Sequence, residues 1–389
     1  MKIKKILFIT IARSDFYLQK ILINEIKKEK NFKIKLIVTG NHHLNEFGRT
    51  VKDIYKEKYS FIEEIKIKKS INIKKYKTFL FSYLCIEFEK KILNIQPDVI
   101  ILFGDRYEIL SAGIASMFLN IPIVHIHGGE ITHGSIDDYI RHSISKISHI
   151  HFVASEKYKD NVIQLGENPK NVFNVGSLSA DRIKKMKKIN KKGLEKLINF
   201  NLDKDYFMVC IHPVTIYKNK TIIIIDELFK SLDYFENYKL IITYPGFDTS
   251  YDYIVKKIKN YQKQNSERVL IKKNLGDDLY LNLLRNSKLI IGNSSSGIID
   301  SPYLKVPTIN IGDRQEGRLM SNSIINCEAK KNKIVKSIKL VLSKNFNLKL
   351  KKINIYYGRG GTAMKNIKKL KEINLENILI KKFFFLKKN

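Results

Sequence analysis

The chain has 389 residues, 44% of them hydrophobic and 11% aromatic, with a formal charge of +33. This length suits two domains of ordinary size, each with its own core, and no apolar run approaches the ~20 residues of a membrane helix. The positive excess is nearly all Lys, spread from end to end with Arg scarce. That spread points away from a nucleic-acid groove, which needs clustered charge and stacking aromatics, while its field attracts anionic small substrates.

Cys85, Cys210 and Cys327 lie far apart and match neither a disulfide framework nor a zinc spacing, so a reducing cytoplasm is expected. The basic start MKIKKILFIT runs into Ala12-Arg13-Ser14-Asp15 with no small-residue cleavage site, and reads as a first strand and not as a signal peptide. A turn and an amphipathic helix over residues 16–27 follow. KIKLIVTG ends at Gly40, where Asn41-His42-His43 opens a polar loop through Gly48. Residues 71–95 have the length and period of a helix, closed by Pro97. Next come DVIILFG, a helix over 107–118, IPIVHIH, a Gly-rich loop, a helix from Ile136, HIHFVAS, a helix from Glu156, and FNVGS.

The Lys-rich stretch 181–204 breaks this rhythm and reads as a linker. A second alternation then begins with YFMVCIHP, YKLIITYPG, RVLIKKNLG, KLIIGNSSSG and VPTINIG as strands. Apolar strands alternating with helices imply α/β architecture with parallel sheets covered on both faces. We expect two doubly wound, Rossmann-type domains over residues 1–180 and 181–361, with a cleft at the carboxyl ends of their strands. The end, KLKEINLENILIKKFFFLKKN, is expected to form a helix over 362–389 that docks back on the first domain.

Several constellations fall at those strand ends. Gly104-Asp105-Arg106 follows a buried strand, with Glu108 in the same turn; Asp105 fits a ligand carboxylate and a helix cap equally well. His125 and His127 are expected on one side of their strand, yet no third ligand completes a zinc set, so no metal is expected. Glu130, past two glycines, is placed as an acid or base, or else as a surface loop carboxylate. Ser135 and Asp138 fit a capping box. Capping leaves Arg141 unexplained: it lies one turn after Asp137 on the same face, and an arginine among carboxylates favours their charged form and grips phosphate bidentately.

In the second half, His212-Pro213 ends a strand at the expected cleft edge. Gly292-Asn293-Ser294-Ser295-Ser296-Gly297 joins a strand to a helix through hydroxyls and backbone N–H groups, a way to hold a diphosphate; the alternative is a polar turn with a Ser cap. No Walker Lys is present. Arg314 and Arg318 follow the next strand, and Arg13 and Ser14 occupy the equivalent turn of the first domain. Gly358-Arg359-Gly360-Gly361-Thr362 suits an anion site less simply than a flexible turn before the closing helix.

Taken together, the Arg13-Ser14-Asp15 turn, GDRYE, HIHGGEITHGSIDDYIRHSISKISHIHF, His212-Pro213, GNSSSGIIDSP and GDRQEGR resemble the hydrolysing UDP-N-acetylglucosamine 2-epimerases of sialic- and legionaminic-acid pathways. The resemblance spans residues 8–362. It implies a GT-B-like pair of domains and a two-stage reaction: loss of the carbon-2 proton as UDP leaves, then hydration of the 2-acetamidoglucal to N-acetylmannosamine. By the same resemblance, Asp105, Glu130, Asp137, Asp138 and His212 are catalytic. Arg13, Ser14, Arg106, Arg141, Ser294, Ser295, Ser296, Gly297, Asp300 and Arg314 hold substrate and nucleotide. No cofactor or metal is implied; the partner is a UDP- or GDP-linked HexNAc, with no nucleic acid and no membrane, and a cytoplasmic homodimer is the expected form. Two departures fall on nucleotide contacts: Ile11-Ala12 replace the usual Gly-Thr, and Asp300 replaces a Glu. The rival readings are the same reaction on a GDP-linked sugar or one modified at carbons 4 and 6, a non-hydrolysing epimerase, a GT-B glycosyltransferase and, on charge alone, a nucleic-acid- or surface-binding protein.

Overall fold

The computed structural model describes residues 3–67, 77–246, 248 and 250–386. The described chain forms two compact units: Met1–Glu130, Asp137–Arg182 and Tyr357–Asn389 in the first, Ile131–Ile136 and Ile183–Tyr356 in the second. The sequence predicts boundaries at 180/181 and 361/362. The observed divisions fall two residues after the first and five residues before the second, and the short segment Ile131–Ile136 counts with the second unit.

The first unit holds seven strands: β1 Lys4–Thr10, β2 Phe32–Val38, β3 Ile62–Glu64, β4 Val99–Phe103, β5 Ile123–Ile126, β6 Ile150–Val153 and β7 Val172–Asn174. They form one parallel sheet in the order β3-β2-β1-β4-β5-β6-β7. Side chains alternate across a strand, so Phe8, Ile101 and Val124 meet the helices Arg13–Ile26 and Thr362–Glu372 on one face. Leu7, Ile9 and Ile100 meet Leu84 and Phe88 of the helix Lys77–Ile95 and Ala112 of the helix Tyr107–Phe118 on the other. Burial on both faces is why β4 reads as an unbroken apolar run.

The second unit repeats the plan with β8 Tyr206–Cys210, β9 Lys239–Thr243, β10 Val269–Lys272, β11 Leu289–Gly292, β12 Thr308–Ile311 and β13 Ile324–Cys327. Their order is β10-β9-β8-β11-β12-β13, again parallel. In both units the strand order reverses between the first and fourth strands, β1/β4 and β8/β11, which is where an open α/β sheet opens a crevice for ligands.

Two sequence expectations need correction. The Lys-rich stretch is largely helical: Asn190 caps the helix Lys191–Ile198 through Gly193 N–H (2.8 Å), and Leu194 and Ile198, four residues apart, are buried in the second unit. The closing helix stops at Glu372, and residues 373–386 continue without helix. Its N-terminus is filled from within the chain, since Asp181 accepts from Ala363 N–H (2.8 Å) and from Gly361 N–H. The expected helix over 71–95 is observed as Lys77–Ile95, and residues 71–76 lie outside the described residues. No helix among the described residues is long and apolar enough to cross a membrane.

Candidate functional site

In the first unit the turn after β1 is organised by Asp15. Its buried carboxylate accepts from Thr10 Oγ1 (2.8 Å), Ile11 N–H (3.0 Å), Ala12 N–H (2.7 Å) and Gln19 Nε2 (3.0 Å). Burial outweighs those bonds and raises its pKa to about 6. The turn so held presents Arg13, half-buried, and Ser14, exposed, at the start of the helix.

The turn after β4 and the loop after β5 bring the carboxylates together. Arg141 is 1% exposed; its guanidinium donates to Asp105, to Asp138 (3.2 Å) and to the carbonyl oxygen of Glu130 (2.8 Å). A cation between two carboxylates offsets their mutual repulsion. The cap position of the next helix is Arg106, which reaches Glu108 (3.4 Å) and lies 5.5 Å over the Tyr107 ring. The helix Asp137–Ile147 starts with Asp137, half-buried. Ser135, buried just before it, lies 3.4 Å from Thr215 Oγ1, which also accepts from Ile136 N–H (3.0 Å).

His125 of β5 and His127 just after it separate, contrary to expectation. His125 donates from Nε2 to the Gly104 carbonyl (2.8 Å) and turns Nδ1 to Ser145 Oγ (3.0 Å); burial lowers its pKa to about 3 and keeps it neutral. His127 has a φ of +68°, a left-handed conformation that side chains seldom adopt, and this takes it out of the strand's alternation. Its ring stands edge-on to Phe103 at 5.0 Å, with Nδ1 donating to Glu130 Oε1 (2.6 Å). A carboxylate oriented by an imidazole is a proton-handling pair. Among the described residues no group of three or more His, Cys, Asp or Glu could hold a metal ion.

In the second unit, Asn293 ties the ends of β8 and β11: its side chain accepts from His212 N–H (2.7 Å) and donates to the His212 carbonyl (2.9 Å). Gly292 permits this approach, because with φ +140° an added Cβ would stand 2.0 Å from the Cys210 oxygen. Gly246 N–H donates to His212 Nδ1 (2.9 Å). A backbone N–H only donates, so the His212 proton sits on Nε2, facing Ser294 Oγ at 3.3 Å. Ser294 caps the helix Ser295–Tyr303 through Ser296 N–H, leaving a hydroxyl and a helix N-terminus beside an imidazole N–H. Ser295 is half-buried in the first turn.

Ser296 accepts from Tyr280 OH (2.8 Å) and donates to buried Asp300 (2.8 Å). Gly297 packs its helix on β12, since a Cβ there would meet Thr308 Cγ2 at 2.8 Å. Arg314 Nη1 and Gln315 Nε2 both donate to the Asn293 carbonyl, each at 3.0 Å, which brings one of the expected arginines to the Ser-rich turn.

A family model described as UDP-N-acetylglucosamine 2-epimerase matches residues 24–371. The chain belongs to that epimerase family. Along 391 residues, 99% of this chain and 100% of the relative, it is 41% identical to the GDP/UDP-N,N'-diacetylbacillosamine 2-epimerase (hydrolyzing) of Campylobacter jejuni. It is 39% identical over 88% of its length to the polysialic acid biosynthesis protein P7 of Escherichia coli, of which 87% is covered. The crystal structure of UDP-GlcNAc 2-epimerase from Neisseria meningitidis bound to UDP-GlcNAc shares the fold, with a TM-score of 0.79, 17% identity, and coverage of 95% of this chain and 100% of that one. The two Rossmann-like units are thus those of GT-B-like 2-epimerases.

Within this epimerase-family chain, three side chains take on roles that the sequence pattern does not assign them. His127 reads from sequence as a candidate metal ligand, and only the backbone twist turns it to Glu130. Asn293 and Gln315 stand inside the Ser-rich and Arg-rich motifs, but their bonds to the turn join residues 81 and 22 positions apart, separations that no local spacing reveals.

Proposed function

We propose that this epimerase is hydrolysing: it converts a nucleotide-linked 2-acetamido sugar to the free 2-epimer and a nucleoside diphosphate. The observation that carries the reading is buried Arg141 joining Asp105, Asp138 and the Glu130 backbone, beside the His127–Glu130 pair. In the first stage a carboxylate takes the carbon-2 proton, the bond from carbon 1 to the diphosphate oxygen breaks, and a carbon-1/carbon-2 double bond forms. In the second stage water adds its hydroxyl to carbon 1, and a proton returns to carbon 2 on the opposite face.

Glu130, oriented by His127, is assigned proton transfer together with Asp105, Asp137 and Asp138. His212 supplies a donor from Nε2 to the departing diphosphate, with Ser294, Ser295, Ser296 and Gly297 at the helix N-terminus. Arg13, Ser14, Arg106, Arg141, Asp300 and Arg314 complete the recognition of substrate and nucleotide.

For the sugar, end-to-end similarity to the Campylobacter jejuni protein supports N,N'-diacetylbacillosamine linked to GDP or UDP. The second reading, UDP-N-acetylglucosamine to N-acetylmannosamine, is favoured by the motifs and by the family description. Either product suits the synthesis of a nonulosonic acid, in keeping with the polysialic acid relative. The test is incubation of the purified protein with UDP-N-acetylglucosamine and with UDP- and GDP-N,N'-diacetylbacillosamine, resolving sugars and nucleotides by anion exchange and mass. Free 2-epimer with equimolar nucleotide supports the proposal, and the donor with the highest kcat/KM names the substrate. An intact epimerised nucleotide sugar, or turnover only with an added acceptor, would replace it with the non-hydrolysing epimerase or the glycosyltransferase.

A further inference from the structure

The C-terminal tail packs on the same unit that carries the carboxylates. Phe384 N–H donates to the Gly166 carbonyl (2.9 Å), and Phe383 lies where a Cβ on Gly166 would come within 2.4 Å of its ring. The Lys146 ammonium stands 4.7 Å over that ring. Lys381 Nζ then donates to the carbonyl oxygen of Lys146 (2.6 Å) and to that of Ser148. These carbonyls close the helix Asp137–Ile147, and the last carbonyls of a helix lack internal partners and carry partial negative charge. Lys381 is therefore a C-terminal cap delivered from more than two hundred residues away in sequence.

The same ammonium reaches Glu167 (2.8 Å), whose carboxylate also accepts from Lys146 (2.9 Å) and from His151 Nε2 of β6 (3.2 Å). The Glu167 side chain is 3% exposed. Tail, helix, strand and the turn at Glu167 thus meet at one buried carboxylate. The helix is a rod of about 16 Å, with this knot at one end and Asp137, Asp138 and Arg141 in its first turns at the other.

We propose that Lys381 is a positioning residue, which fixes the helix Asp137–Ile147 from its C-terminal end and so holds Asp138 and Arg141 in register with Asp105. The consequence for turnover rests on the functional reading above; the consequence for the helix does not. The Phe385 side chain, 78% exposed, takes no part in this anchoring.

The test compares wild type, Lys381→Met, Lys381→Arg and Phe385→Ser by hydrogen exchange of the helix amides and by steady-state kinetics. Lys381→Met is expected to speed exchange within the helix by roughly tenfold while the rest of the unit is unchanged. Its kcat should fall by roughly tenfold to a hundredfold with KM and UDP affinity held, since small misplacements of reacting groups act on kcat. Lys381→Arg should restore most of both, and Phe385→Ser should match wild type. Wild-type exchange and turnover in Lys381→Met would overturn the proposal, as would faster exchange spread evenly over the unit. Faster exchange confined to the helix, in a protein whose wild type turns over none of the three donors, would keep the strap and remove the functional reading. Should Lys381→Met fail to accumulate in soluble form, Phe383→Ala loosens the tail without stranding Glu167, and it must show the same local exchange or the proposal falls.

Discussion

At Arg141, helical spacing alone singles out Asp137 as a neighbour, and the structure adds Asp138 one turn away and Asp105 from the turn after β4. An arginine this buried is held by charge on more than one side, so its removal leaves two half-buried carboxylates without the cation they share. Arg141→Met should destabilise the fold by about 3–5 kcal/mol, read as a lower urea midpoint; a variant as stable as wild type would show the carboxylates need no cation. Glu130 sits differently, bound through Oε1 to His127. Glu130→Gln keeps the shape and removes the proton transfer, so kcat should drop by about a hundredfold or more while UDP still binds in a titration. Loss of UDP binding with turnover of bound substrate intact would assign Glu130 to recognition. These positions are legible in the sequence as residue types at strand ends. Their partners are not, because the φ of His127 and the reach of Arg141 to Asp105 are set by backbone geometry between distant segments.

The apolar strands are legible because both faces of each sheet are covered, so runs such as VIILF and YFMVC carry no polar interruption. β3 and β13 escape sequence reading for the opposite reason: IEE is three half-buried residues and IINC exposes its Asn. The strand ends depend on close backbone approach, and Gly292 is the sharpest case. Gly292→Ala demands a Cβ inside contact distance of the Cys210 carbonyl at φ +140°, so it should cost more than ~1 kcal/mol and push β11 away from β8. Thermal melting unchanged from wild type would contradict that packing. The knot at Glu167 gives a pH signature. Burial alone would push its pKa up, but hydrogen bonds from His151, Lys381 and Lys146 bring it down to about 2, below the 4.5 of an ordinary Glu. Its contribution is therefore complete above pH 4.5 and is lost as pH falls from there toward 2. Glu167→Gln should flatten this region of the stability profile. An identical acid profile in the variant would show that the carboxylate is unpaired in solution.

Across the whole molecule, two halves with no residue-level repeat share the order of their first six strands, to which the first half adds a seventh, since each is an alternation of buried strands and covering helices that closes in few ways. That order sets Arg13 and Asp105 at one switch point and His212 and Ser294 at the other, which is why residues at strand ends carry so much of the site reading. The +33 charge carries little of it, being spread along the chain. Elimination followed by hydration leaves its mark at carbon 2, which proton NMR reads in deuterated water: the purified protein, without added metal, is given each of the three nucleotide sugars in turn. Free 2-epimer carrying deuterium at carbon 2 is expected, with release of the nucleoside diphosphate. A free sugar that keeps its original proton at carbon 2, or unchanged spectra with all three donors, would contradict it.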